Sequence, residues 1–387
     1  MEKFKLLLLT IIVLFLTGCS DYRELTDMSI VSSIGIDIKD GKYVTISQIL
    51  SSNESNSQDE SNTSNSKVVV YKSTGKTIHE ALRNTILESP KKLYVGHLET
   101  VIISEKVAKN NITKIFDFFL RDAEVRKDFK LLIASDDEFY EIMDTLTPLE
   151  TIPGKSITSS VNIASKLQGK IADVTFDKFV SNVIQTGVDA VIPIIKISET
   201  KTENEEINPK KRLAIDNKLG IFNNDKFFTY ISEDASLGYS ILYGDNIENI
   251  ISFKCKDDIY SSIELIKNNS KLFFDINSNT VNIDVNIKAS ISELNCNINI
   301  SNEKGIKILE NQAQKEIYEI MNNTIIEAVK NYKSDFLGIG KNIYQNNYKY
   351  YKKNNDNIEN IIKNMKSNIS VNVDIIQKGI IKEGDEK

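Results

Sequence analysis

The stretch "TVNIDVNIKASISE" (280–293), followed by "EKGIKILENQAQKEIYEIMNNTIIEAVK" (303–330), decides the fold class. In the first segment Val281, Ile283, Val285, Ile287, Ala289 and Ile291 recur at every second residue, the period of a strand with one buried face. The alternation then changes parity to Leu294, Cys296, Ile298 and Ile300, which predicts a bulge or bend. In the second segment Ile306, Leu309, Ala313, Ile317, Ile320, Met321, Thr324, Ile325, Ala328 and Val329 form one helical stripe. That helix is expected to stop near Asp335–Gly340, where glycine tolerates a left-handed conformation. A long one-faced helix directly after a one-faced strand gives each a surface to bury. With helices and strands segregated in this way, the chain reads as α+β, with several subdomains of mixed and antiparallel sheets packed against long helices.

Working outward, Ile369, Val371, Val373 and Ile375 alternate as a closing strand, and Leu219 to Ile231 reads as a hairpin turning at Asn223-Asn224-Asp225. Toward the N-terminus, strands are expected at 30–38, 44–50, 68–71, 93–104, 129–134 and 188–197. Helices are expected around 78–86, 112–120, 157–167 and 174–185. Two polar segments interrupt the pattern. "SSNESNSQDESNTSNS" (51–66) contains no apolar residue and lies between strand-like flanks, as a long hairpin connection would. "SETKTENEEINPKK" (198–211) is read as a linker between domains at 19–197 and 212–387, the second open to subdivision near 245–255.

The N-terminus reads as an export signal over residues 1–18. Lys3 and Lys5 precede the apolar run Leu6–Leu16, which is too short for the roughly 20 residues of a membrane span. Leu16-Thr17-Gly18-Cys19 resembles a bacterial lipobox, so Cys19 is the expected lipid-attachment residue and the first residue of the mature chain. Two acyl chains on one cysteine suffice for stable anchoring. The precursor charge of −6 becomes −7 once the signal takes away one acid and two lysines. An acidic chain of this kind is not drawn to nucleic acid by its overall charge. Beyond Cys19 only Cys255 and Cys296 remain, each alternating with apolar neighbours. An exported chain could pair them, but two buried free thiols are the favoured reading, since nothing in the sequence brings their strands together.

Four stretches resemble the Ger(x)C lipoproteins, the C subunits of nutrient germinant receptors of endospore-forming bacteria. The first is the lipobox running into "SDYRELTDMSIVSSIGIDIKDGKYVTISQIL" (20–50), similar to the family's Asp-x-Arg-Glu-Leu and Gly-Ile-Asp. The second is "GHLETVIISEKVAKNNITKIFDFFLRDAEVRKDFKLLIA" (96–134). The third is "KLGIFNNDKFFTYISEDASLGYSILYG" (218–244), and the fourth is "DFLGIGKNIYQNNYKYYKK" (335–353) with "NISVNVDIIQKG" (368–379). Ser20 stands where the family commonly has Trp, and the chain contains no Trp at all. The resemblance implies a lipid-anchored ectodomain on the outer face of the spore inner membrane. It also implies assembly with membrane A and B subunits and no catalysis of its own.

The residues agree with that absence of chemistry. The two histidines, His79 and His97, are read as structural, and no C-x-x-C or H-E-x-x-H spacing points to a metal. No nucleophile elbow or phosphate loop is present, and no cofactor is expected. Arg121-Asp122-Ala123-Glu124-Val125-Arg126 is read as a charged helix end with local ion pairs. Tyr344, Tyr348 and Tyr351 share a helical face and are expected to be buried, with Lys349, Lys352 and Lys353 wet. The rival reading, a solute-binding lipoprotein serving a transporter, predicts two similar α/β lobes around a cleft. Mass spectrometry of the mature N-terminal peptide should show an acylated Cys19; an unmodified cysteine, or cleavage elsewhere, contradicts the lipobox.

Overall fold

The structure is a computed structural model that describes residues 27–51, 68–110, 112–199, 210–244, 248–256 and 258–377. Among these, the strands form a nine-stranded and a four-stranded sheet. The first sheet is built from β1 (Met28–Lys39), β2 (Lys42–Leu50), β3 (Val68–Gly75), β4 (Lys92–Tyr94), β5 (Thr100–Ser104), β6 (Lys130–Ala134), β7 (Val191–Glu199), β8 (Lys211–Asn223) and β9 (Lys226–Tyr230). Its order is β3-β2-β1-β5-β6-β7-β8-β9, with β4 paired to the start of β1. The central pairs β1–β5, β5–β6 and β6–β7 are parallel, and the flanking pairs are antiparallel hairpins.

Parallel strands need crossovers, and helices supply them. α1 (Ile78–Asn84), α2 (Glu105–Asn110), α3 (Thr113–Arg121) and α6 (Phe176–Ile184) belong to one core with Ile36, Val101 and Leu131. α4 (Phe139–Asp144) and α5 (Pro153–Leu167) cover the opposite face through Ile142, Met143, Ile157 and Val161 against Ile46, Ile102 and Leu132. β1 is buried on both faces, so its residues Ile34 to Ile36 are inaccessible without strict alternation.

The second sheet has the order β10-β11-β12-β13, from β10 (Ile250–Lys256), β11 (Ile259–Asp275), β12 (Thr280–Glu293) and β13 (Lys366–Gln377). α8 (Glu303–Ile326) lies against this sheet. All ten residues of the expected helical stripe are buried, the last two of them just past α8's end. Asn302 caps α8 by accepting from Gly305 N at 2.8 Å. α7 (Glu233–Tyr243), capped by Ser232, packs on α8 so closely that a Cβ on Gly238 would stand 1.9 Å from Thr324 Oγ1. The sheets differ in size and topology, so the two similar lobes of a solute-binding protein are not what the described residues form.

Several expectations change. The segment 198–211 joins two strands of one sheet: β7 ends at Glu199, β8 begins at Lys211, and the two pair directly. The first sheet therefore extends past the expected boundary, because residues 211–215 and 219–221 find their pairing partners on β7. Residues 93–104 form two strands, β4 and β5, since Val95–Glu99 carries the chain from the start of β1 to a parallel position beside it. The parity change falls at a bulge, as expected: β12 carries an extra residue between Ile291 and Glu293 opposite Ile263 and Ser262, then stops at Glu293, and the following residues bury Cys296 and Ile300 without a strand. Cys255 and Cys296 are paired as a disulfide with Cα atoms 5.8 Å apart, contrary to the free-thiol reading. β11 brings them together by pairing with β10 on one side and with β12 on the other, and its Ser261 donates to Cys296 Sγ.

The long helix ends differently too. A π-helical turn spans Glu327–Tyr332, and Lys333, not a glycine, takes the left-handed conformation at φ 52°. Gly338, at φ 64°, instead starts α9 (Ile339–Asn346). The tyrosine stripe is interrupted at Asn347, before α10 (Tyr348–Lys353). Tyr348 is consequently 52% exposed, whereas Tyr351 is 8% exposed with its ring 5.2 Å from that of Tyr344. α11 (Ile358–Lys363) then leads into β13. Tyr351→Ala should therefore destabilise the protein by about 3–5 kcal/mol and Tyr348→Ala by less than about 0.5 kcal/mol. Equal shifts in chemical denaturation would contradict this placement.

Candidate functional site

Two places concentrate polar chemistry. The first is a groove of about 1130 Å³ between α1 and α3. His79, Arg83 and Ile86 line one wall at helical spacing, and Lys114, Phe118 and Arg121 line the other. The floor is apolar, from Ile38, Leu82, Leu93 and Val95. Lys76, Arg83, Lys92, Lys114 and Arg121 outnumber Asp117, Asp122 and Glu124, so the groove is locally basic on an acidic chain.

Most of these charges are held by neighbours. Arg121 Nε bonds Asp117 Oδ1 at 2.7 Å one helical turn away, and Lys92 Nζ reaches Glu124 Oε1 at 3.1 Å. Arg126 pairs with Asp128 at 2.5 Å, and Asp122 Oδ1 accepts from Glu124 N at 2.8 Å. The 121–126 corner is thus a set of local ion pairs that also forms one wall of the groove. His79 is exposed, meets Arg83 at 3.1 Å and stands edge-on to Phe118 with ring centroids 5.8 Å apart. His97 is exposed beside Tyr94. Among the described residues no three His, Cys, Asp or Glu side chains are grouped to hold a metal ion. Cys19 lies outside the described residues.

The second place is a buried carboxylate joint that sequence reasoning missed. Asp335, in the "DFLGIG" stretch, accepts from Ile339 N at 2.7 Å and Gly340 N at 2.6 Å at the start of α9. Asp189, just before β7, accepts from Ser334 Oγ at 2.7 Å and from Asp335 N at 2.8 Å. The backbones also meet: Asp189 N donates to Asp335 O at 3.0 Å, and Lys341 N donates to Gly187 O at 2.5 Å. Gly187, at φ +79°, permits this contact, since a Cβ there would lie 2.5 Å from Gly340 C. The first sheet is thereby bonded to the segment after α8. Burial pushes the Asp335 carboxyl up to about 8, helped by neighbouring Asp189 and opposed by the backbone N–H donors. Burial likewise raises Asp189 against the hydrogen bonds it accepts. The acidic residue in the Gly-Ile-Asp match, Asp37, is also buried, accepting from Ser104 Oγ at 2.6 Å and Tyr140 Oη at 2.7 Å. An acid inside an apolar strand was its available sequence signal.

These sites hold the fold together and offer one basic groove; none assembles a nucleophile with a base. What they define is an α+β protein whose two sheets are joined through internal carboxylates. Residues 21–197 match the family described as spore germination protein N-terminal domain, and residues 217–379 match the one described as spore germination B3/GerAC like, C-terminal. The chain belongs to the Ger(x)C family of spore germination proteins. It is 27% identical to spore germination protein KC of Bacillus subtilis, over 88% of this chain and 86% of that protein. It is 22% identical to spore germination protein GerQC of Bacillus cereus, over 97% and 98% of the two chains. The crystal structure of the GerBC protein shares its fold, with a TM-score of 0.56 at 18% identity over 89% of this chain and 97% of that one.

The raised Asp335 carboxyl has a pH signature. A carboxyl that holds its proton more tightly when folded contributes most below its unfolded value of 3.8, and that contribution fades as pH rises through about 8. Asp335→Asn should lower the melting temperature more at about pH 5 than at about pH 9, because only the acid loses stability as it ionises. A melting-temperature gap that is constant or widens with pH, measured by calorimetry, would contradict burial as the dominant influence on Asp335.

Proposed function

We propose that this chain is the lipid-tethered, non-catalytic C subunit of a spore nutrient germinant receptor. It acts in nutrient-triggered germination through assembly with membrane A and B subunits. The observation that carries this reading is the match of two spore germination families, in order, across 21–197 and 217–379. The coverage of its relatives supports it: the chain spans 86% of protein KC and 98% of GerQC, so it has the extent of those proteins. The expected lipid on Cys19 supplies the membrane attachment, and among the described residues no helix is long and apolar enough to cross a membrane. The exposed histidines and the 121–126 corner, whose charges are paired with Asp117, Lys92 and Asp128, fit a scaffolding role better than an active site. The domain division retains a use in this reading, as the two family segments around residue 200, although the first sheet crosses between them. Nucleic acid is not a proposed partner of so acidic a chain.

Affinity purification of the tagged chain from dormant-spore membranes should recover a polytopic and a receptor-like membrane protein in constant ratio. Spores lacking the chain should fail to germinate with at least one nutrient. Recovery of the chain alone, together with normal germination on every nutrient that triggers the parent, would overturn the reading.

A further inference from the structure

We propose that the end of the first sheet where β1, β5 and β6 begin is a lipid-facing surface, and that the loops around Leu87 and Leu149 insert their side chains into the bilayer. This rests on the reading of Cys19 as the lipid anchor. The chain enters the described fold at Asp27, and β1 starts at Met28. Nine residues of extended chain reach roughly 30 Å, so a lipid on Cys19 keeps this end of the sheet close to the membrane.

Both loops sit at that end. Ser33 of β1, Thr100 of β5 and Lys130 of β6 lie in one row across the sheet. Leu87 belongs to the turn after α1 that delivers the chain to Lys92, directly opposite Met28. The loop of Leu149 is held on both sides by the same sheet end. Before it, Met143 O accepts from Gln48 Nε2, and Gln48 pairs with Ser33. After it, Gly154 O accepts from Thr100 Oγ1. The loops come from helices on opposite faces of the sheet, so they straddle the point where the tether enters.

Scattered exposed leucines are ordinary on a protein surface. Here the placement is specific: Leu149 at 100% and Leu87 at 86% are the two most exposed large apolar side chains among the described residues. Leu87 is also flanked by buried Thr85 and Ser89, so the loop is anchored while its apolar tip is not. Glu88 and Glu150 stand next to the two leucines, which sets the depth: leucine side chains in the acyl boundary, carboxylates at headgroup level. Two shallow apolar contacts beside one lipid anchor would hold the domain in one orientation, which a single point of attachment does not do.

The test uses the full-length chain in vesicles of phosphatidylglycerol and phosphatidylethanolamine. Leu87→Cys, Leu149→Cys and, at the far β1–β2 turn, Lys42→Cys are each labelled with an environment-sensitive fluorophore. The parent chain sets the labelling background. Brominated lipids should quench the probes at 87 and 149 several-fold more strongly than the probe at 42. Equal quenching at all three positions, or none at either leucine, overturns the proposal, as does quenching at only one of the two. Mass spectrometry of Cys19 on the same samples separates the causes. An unmodified Cys19 defeats the anchor reading and this one with it, whereas an acylated Cys19 with unquenched leucine probes defeats this one alone.

Discussion

Two largely buried carboxylates, Asp189 and Asp335, are the constraint on which the arrangement of this molecule depends. Each accepts several hydrogen bonds, and most of those bonds cross from the first sheet to the segment that follows the long helix or close that segment on itself. A buried acid left without such donors would cost several kcal/mol, so the surrounding backbone is committed to one conformation. That commitment explains the shape of residues 327–341. The π turn, left-handed Lys333 and left-handed Gly338 bring Ser334, Ile339 and Gly340 into donor positions around the two acids.

The same joint orders what lies beyond it. α9 begins on Asp335, and Tyr351 of α10 packs close enough for the acid to raise its hydroxyl further above the usual tyrosine range, after burial has done most of this. On the other side, Asp189 leads straight into β7, the strand that closes the parallel centre of the first sheet and starts its antiparallel edge. A second acid works alike from within the sheet. Asp37 in β1 is bound by Ser104 of β5 and Tyr140 of α4, tying the strand to its parallel neighbour and to a helix. The protein's ionisable interior is used for assembly of its parts.

The groove between α1 and α3 differs from these joints in being wet and basic. Several of its charges are satisfied in pairs, Arg121 with Asp117 one helical turn away and Lys92 of β4 with Glu124, and exposed pairs of that kind add little stability. Their effect is on the local field: a basic strip on an acidic chain, reaching Lys92 beside the start of β1.

What the sequence by itself determined was every element whose burial is periodic. The stripe from Ile306 to Val329 is buried at each position, β12 alternates as written up to Ala289, and the 51–66 tract does lie between the paired strands β2 and β3. Periodicity succeeds there because a one-faced element needs only some core to face, whichever partner provides it. Family membership was legible for a related reason, since the matching stretches carry turn residues and buried acids in a fixed order. The tertiary structure alone decided the partners. β11 runs through the polar Asn268-Asn269-Ser270-Lys271, and only its pairing with β12, with a register shift at Leu265/Lys267, makes that stretch a strand. Residues 198–211 look like a linker because their charges are solvated, yet their ends are sheet, because β7 supplies hydrogen bonds that no local pattern records. Cys255 and Cys296 meet only because β11 pairs with both β10 and β12. Asp189 and Asp335, 146 residues apart, carry no local sign of each other, because the Ser334 and Asp335 donors that make the burial of Asp189 tolerable come from the other half of the chain.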